Sequence, residues 1–260
     1  MLTTNYEPLQ FKASLILGAM PDEVLTAIAS SSTGESYFIA ILHQSKAAPA
    51  FFAWNIARAL NLNTPDFFLC HVSENVLSIA LPKNIITKYV GHCFSYIWPC
   101  HSNLLKPCQF SQYRSELERI AALDLILCNP RHKSEAGLFL QSDDKLLCTG
   151  FEGRAGAGLY RVPMSNEPPQ CLSVKQLRHC GMIAPLNLDT IETVCNQWKA
   201  VITHDWLFTL ETLMPESWRT GENEQNFNRL INFLSRRTES FEVIREKVAL
   251  VQGHQNKVAI

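Results

Sequence analysis

Between the largely apolar runs 123–127 and 138–140 the chain inserts Asn129-Pro130-Arg131-His132, with Glu135 three residues on. A cation, an imidazole and a carboxylate on a short polar insert between two buried-looking segments is an arrangement that can present reactive side chains from a rigid frame. Glu135 could offer oxygens to magnesium, and His132 could carry a proton; Pro130 can do neither. Lys46, Glu152 and Arg154 are the other charged groups that could join such a site, provided the fold brings them within hydrogen-bond reach of one cavity.

Two further constellations have candidate chemistry and a blander reading beside it. His92, Cys93, Cys100, His101 and Cys108 put five soft ligands into one aromatic stretch. Only the adjacent His-Cys and Cys-His pairs approach zinc-ligand spacing, so these residues are read as buried or incidental, and no metal is expected. Gly153-Arg-Ala-Gly-Ala-Gly158 could cradle phosphate, but the Lys-Ser/Thr of a P-loop does not follow it, and residues 149–170 are read as a glycine- and proline-rich connector. His204 and Asp205 are neighbours on a predicted helix and point in different directions, so they imply no triad.

The elements that would position these groups divide into a strand-rich front and a helical back. Residues 12–17, 36–42 and 66–72 have strand composition between turn residues, and 50–62 reads as a helix with Phe52, Ile56 and Leu60 at helical spacing. That helix should stop before Thr64-Pro65. Asp189 to Glu192 has capping-box spacing ahead of Val194, Trp198, Val201 and Ile202. Residues 224–251 read as one long final helix, with Arg236-Arg237 as a solvated pair on its polar face.

With 260 residues and 47% hydrophobic content, the chain can bury a core without disulfides or metal. Its 23 Lys plus Arg against 24 Asp plus Glu give a formal net charge of −1, which provides no field to draw nucleic acid or an anionic membrane. No export signal or apolar run near the roughly 20 residues of a membrane span is visible, so a cytoplasmic protein is expected. The nine cysteines lack any C-x-x-C and are read mostly as small buried hydrophobes.

Taken together, three segments resemble the HipA-like kinase domain family. "LDLILCNPRHKSEAGLFL" at 123–140 is similar to that family's pattern "FD-x-L-I-x-N-x-D-R-H-x-x-N-x-L-L". "ESYFIAIL" and "AFFAWNIARALNLNTPDFFLCHVS" are similar to its lysine-bearing strand, its "E-W-I-A-x-x-L-x-L-x-x-P" helix and the strand that follows. "MPESWRTGENEQNFNRLINFLSRRTESFEVI" is similar to its closing helix pair. The resemblance implies an α+β, protein-kinase-like (HipA-type) bilobal fold: a strand-rich N-lobe over 1–85 and a mainly helical C-lobe over 86–260.

The same resemblance places the kinase machinery, and most of it is missing. Phosphoryl transfer needs a lysine on the phosphates, an acid to orient it, an aspartate for the acceptor hydroxyl, and oxygens on magnesium. The family's lysine falls at Ala40 or Ile41, and its glutamate at Ala53, just before Trp54. The catalytic aspartate falls at Pro130 or a gap beside it, leaving Arg131 and His132 in structural roles. The metal-binding asparagine becomes Glu135, and the metal-binding aspartate becomes Thr149 or Gly150, with Glu152 out of register.

The expectation is therefore a catalytically inactive pseudokinase that needs no cofactor and binds another protein in a bacterial toxin, defence or regulatory system. The alternative is a divergent phosphotransferase using ATP and Mg2+ through a rebuilt site made from Lys46, His132, Glu135, Glu152 and Arg154. A metal-dependent module on His92 to Cys108 is the weakest alternative.

Overall fold

The computed structural model describes residues 15–20, 24–30, 34–78, 81–99, 103–128, 138–140, 145–150 and 186–258. Its first three strands, β1 (Leu15–Met20), β2 (Val24–Ser30) and β3 (Ser36–Leu42), form an antiparallel meander. β2 pairs with β3 along its whole length, from Val24 opposite Leu42 to Ser30 opposite Ser36. β2 is not among the strands expected from the sequence; β1 and β3 pair with it on its two sides.

Helix α1 (Gln44–Ala59) follows β3 directly. It begins ahead of the expected residue 50 because the His43 side chain caps it, accepting from the Ser45 backbone N–H at 3.0 Å, and because Pro49 is accommodated inside it. The end lies before Thr64-Pro65 as the proline requires. β4 (Phe67–Val72), the short α2 (Glu74–Ser78) and α3 (Lys83–Ile86), and β5 (Gly91–Ile97) complete a five-stranded sheet of order β1-β2-β3-β5-β4.

β5 lies between β3 and β4, so the sheet runs past the boundary expected at residue 85 and reaches Ile97. Both of its faces are covered. Ala40, Leu42, Phe94 and Tyr96 join the core around α1, while Ile39, Ile41, Cys70 and Cys93 pack with Leu77, Ile86 and Tyr89 on the other side. A strand buried on both faces loses the apolar-polar alternation that marks a strand in sequence, which explains why 91–97 reads as a ligand cluster instead.

Beyond the sheet, the two-residue β6 (Asn103–Leu104) pairs with the hairpin β7 (Leu138–Leu140) and β8 (Leu146–Cys148). The remaining described elements are helical: α4 (Arg114–Ile126), α5 (Leu188–Val201), α6 (His204–Thr212), α7 (Glu224–Ser235) and α8 (Phe241–Val258). This is an α+β bilobal arrangement, with a small antiparallel sheet and a helical remainder. Among the described residues no helix is long and apolar enough to cross a membrane.

α5 is capped by Asn187, whose side chain accepts from the Asp189 N–H at 3.0 Å, instead of by the capping box read at 189–192. The buried Glu118 of α4 ties that cap in place, accepting from Arg114 Nε at 2.8 Å, Thr190 Oγ1 at 3.1 Å and Asn187 Nδ2 at 3.3 Å.

The expected final helix is two helices broken by a 3-10 turn at Arg237–Ser240. The break turns the two arginines in opposite senses. Arg236 is at the surface, paired with Glu239 at 2.9 Å, whereas Arg237 is fully buried. Its guanidinium donates to the Ile126 carbonyl, to the Leu125 carbonyl at 3.1 Å and to Cys128 Sγ at 3.3 Å, and lies 5.0 Å from the Phe233 ring centroid. The last carbonyls of a helix lack the regular i+4 donor; here the Leu125 carbonyl also accepts from the Cys128 N–H at 3.2 Å, and Arg237 adds side-chain donors to it and to the Ile126 carbonyl.

Arg237→Met should leave those carbonyls buried without this donor and lower the unfolding free energy by about 3 kcal/mol or more. Arg237→Lys should recover only part, because an ammonium cannot reproduce the planar fork. Urea denaturation of both variants checks this; a loss below about 1 kcal/mol for Arg237→Met would place the cap among ordinary neutral hydrogen bonds.

Candidate functional site

Ala40 lies in β3 with Thr26 of β2 opposite on one side and Tyr96 of β5 on the other. Ala53 lies in α1, immediately before Trp54, whose ring centroid is 4.7 Å from that of Tyr96, 5.5 Å from Phe94 and 5.7 Å from Phe67. The Trp54 and Tyr96 rings thus connect the helix to the strand row that contains Ala40. Ala40 and Ala53 both have 0% exposure and belong to one apolar cluster. A lysine or glutamate at either position would have to leave water for that cluster, at a cost of several kcal/mol per unpaired charge.

Lys46 is in the first turn of α1, not in a loop before it, and is 7% exposed. It precedes Ala53 by two turns, about 10 Å along the helix axis, on nearly the same face. Thr149 is buried just after β8, and Gly150 follows with a positive φ of 88°. The Cys148 N–H donates to the Asn63 carbonyl at 2.9 Å, fastening the hairpin to the segment that leaves α1. Pro130, Arg131, His132, Glu135, Glu152, Arg154 and the glycines at 153–158 lie outside the described residues.

The Cys/His stretch is distributed over different surroundings. Cys93 is buried and its thiol donates to the Tyr89 carbonyl at 3.0 Å; Cys70, also buried, lies 2.9 Å from Ser95 Oγ. Burial pushes the Cys70 thiol up to about 12 and raises Cys93 as well. Thiols held in their protonated form make poor metal ligands. Cys108 is exposed, and Cys100 and His101 lie outside the described residues. Among the described residues no three His, Cys, Asp or Glu side chains gather in metal-binding geometry.

His92 faces His71 across the β4–β5 ladder, ring centroids 5.1 Å apart, and its carbonyl accepts from Trp218 Nε1 at 2.9 Å. The resemblance at the closing helix pair includes Trp218 without giving it a contact, and no sequence signal marks Gln44, whose side-chain amide donates to the Val90 carbonyl. Both tie later or neighbouring elements to the start of β5. Neither bond has a local sequence signature, since the partners are 126 and 46 residues apart. His204 and Asp205 occupy the first turn of α6, where Thr203 caps the helix by accepting from the Trp206 N–H at 3.2 Å.

No protein-family model and no curated protein matches the chain. Among solved structures it is similar to the proinflammatory kinase CtkA of Helicobacter pylori, at 10% identity over 94% of this chain and 96% of that one, with a TM-score of 0.44. It is also similar to the MAP kinase LmaMPK10 of Leishmania major, at 10% identity over 90% of this chain and 81% of that one, with a TM-score of 0.33.

Two outcomes follow from the geometry. Ala40→Lys should destabilise the protein by about 3–5 kcal/mol in urea unfolding, because the new ammonium meets apolar neighbours; a cleft open to solvent would accept it with little change. Partial desolvation of the exposed His92 ring, and secondarily the charge of His71, holds His92 below the usual histidine value. The fold therefore favours its neutral form, and stability should fall as pH drops below about 6.5, where the unfolded chain takes up a proton that the folded one resists. An NMR titration should give a His92 midpoint below the ordinary value, moving part-way back in His71→Gln.

Proposed function

We propose that the chain is a kinase-like scaffold without phosphoryl-transfer chemistry, a pseudokinase that serves as a protein-binding or regulatory module. The observation that carries this reading is the burial of Ala40 and Ala53 in one apolar cluster. The positions that the HipA-like resemblance gives to the phosphate-binding lysine and its orienting acid hold uncharged side chains with no exposed surface. The order β3, α1, β4 agrees with the strand, helix and strand of that resemblance. Pro130, in place of the catalytic aspartate, has no side-chain acceptor.

Loss of a single electrostatic contributor typically costs an enzyme several kcal/mol of transition-state stabilisation, so the loss of several together leaves negligible catalysis. A protein partner, in a bacterial toxin, defence or regulatory setting, is the use that remains for the scaffold. Phe208 of α6, 59% exposed, is an apolar group that such a partner could cover.

A second reading draws on Lys46, which has the charge that Ala40 lacks and sits on nearly the same face of α1 as Ala53. In that reading Lys46, His132 and Glu135 form a rebuilt site for ATP and Mg2+, and the protein is a divergent phosphotransferase.

Isothermal titration with ATP and magnesium separates the two readings. The scaffold reading expects no saturable binding tighter than about 1 mM, and micromolar affinity would overturn it. Incubation with radiolabelled ATP supplies the complementary result: label transfer that disappears in Glu135→Ala would establish the phosphotransferase.

A further inference from the structure

A small pocket, partly open to solvent, lies between the start of α1 and the segment 218–230. Of the emptied kinase positions, Ala40, Ala53 and Thr149 do not line it. Gln44, Ser45, Ala48 and Pro49 form one wall, and Trp218, Asn223, Asn226, Phe227, Arg229 and Leu230 form the other.

The pocket is built in advance. The Gln44 amide donates to the Val90 carbonyl, and Trp218 Nε1 donates to the His92 carbonyl, so opposite walls are fastened to the same three-residue stretch of backbone. Gly91, between those two carbonyls, has a φ of 100°, and a Cβ there would come within 2.9 Å of Gln44 Nε2. Asn223 Nδ2 donates to the Ser217 carbonyl at 2.9 Å and fixes the rim. The Phe51 ring supports Trp218 from behind, centroids 6.3 Å apart. A cavity held open by its own hydrogen bonds costs a ligand little ordering on entry.

Its chemistry has one sign. Among the described lining residues Arg229 is the charged one and none is a carboxylate. Arg229 is half-buried, and among the described residues no ion pair engages it. Pro49 and the largely buried Trp218, Phe227 and Leu230 supply its apolar lining. We propose that this pocket binds a small organic anion: a flat apolar ring system seated against Trp218 and Phe227, with its carboxylate on the Arg229 guanidinium. The bond to carboxylate is charge-assisted, and the planar guanidinium suits the two oxygens.

Indole-3-acetate is the probe, and indole-3-acetamide, of the same shape without the charge, is its control. In NMR titrations of the full chain the acetate should shift the Trp218 indole and Arg229 Nε signals with a Kd of about 1 mM or tighter, as expected for a ligand of this size. The acetamide should bind about tenfold more weakly. Arg229→Gln should abolish that preference without changing the unfolding midpoint, and Arg229→Lys should restore part of it. Ala48→Phe, filling the pocket from α1, should weaken both ligands together. Equal affinity for the two probes in the natural protein, no shift of these signals up to about 10 mM acetate, or an acetate preference that survives in Arg229→Gln would each overturn the proposal. ATP titration reads a different set of residues, so its outcome leaves this one independent.

Discussion

Helix α1 has to be apolar on nearly every side, and much else in the molecule follows from that. It lies between the sheet and the helical lobe, with residues from Lys46 to Ala57 buried apart from Ala48. Trp54 faces the aromatic rings of the sheet, while Phe51 packs against Trp218 and Phe52 against Phe227. One continuous core therefore includes strand, helix and C-terminal helices. A helix that contributes surface to two neighbours at once can hold little charge, and Ala53 is what such a position accepts.

Polar groups in this molecule are accordingly placed where the backbone needs them. Glu118 gathers three donors at the junction of α4 and α5, and Arg237 covers carbonyls at the end of α4. Gln44 and Trp218 each satisfy one carbonyl at the start of β5. At the periphery, Arg58 pairs with Asp66 at 2.9 Å and lies over the Phe67 ring, closing the open end of the Trp54 cluster. These bonds set positions, and the apolar cluster supplies most of the stabilisation.

How much of this was legible in the sequence depended on whether the signal was local. β3 and β4 were visible because branched and aromatic residues flank them with turn residues, and Thr64-Pro65 marked the end of α1. Pro49 hid the start of the same helix, since a proline normally argues for a boundary, and the His43 cap that overrides it is not a frequent one. β5 was hidden because both of its faces are covered. Arg237 was misread for the opposite reason: the helical period through 224–251 is regular enough to put it on a polar face, and only the 3-10 turn reverses it. Of the candidate site, the identities at 40 and 53 were plain from the resemblance, but their common apolar surroundings come from pairings between residues more than forty positions apart.

Arg237 also bears on how the chain is made. The end of α4 is finished by a residue 111 positions later, so during synthesis its last turn stays uncovered until more than a hundred further residues have been added. Contacts of such long range are slow to form, and they leave the nascent helical lobe loosely closed for most of its assembly. A product ending before residue 237 would keep all of α4 and lose, along with α8, the side chain that completes it.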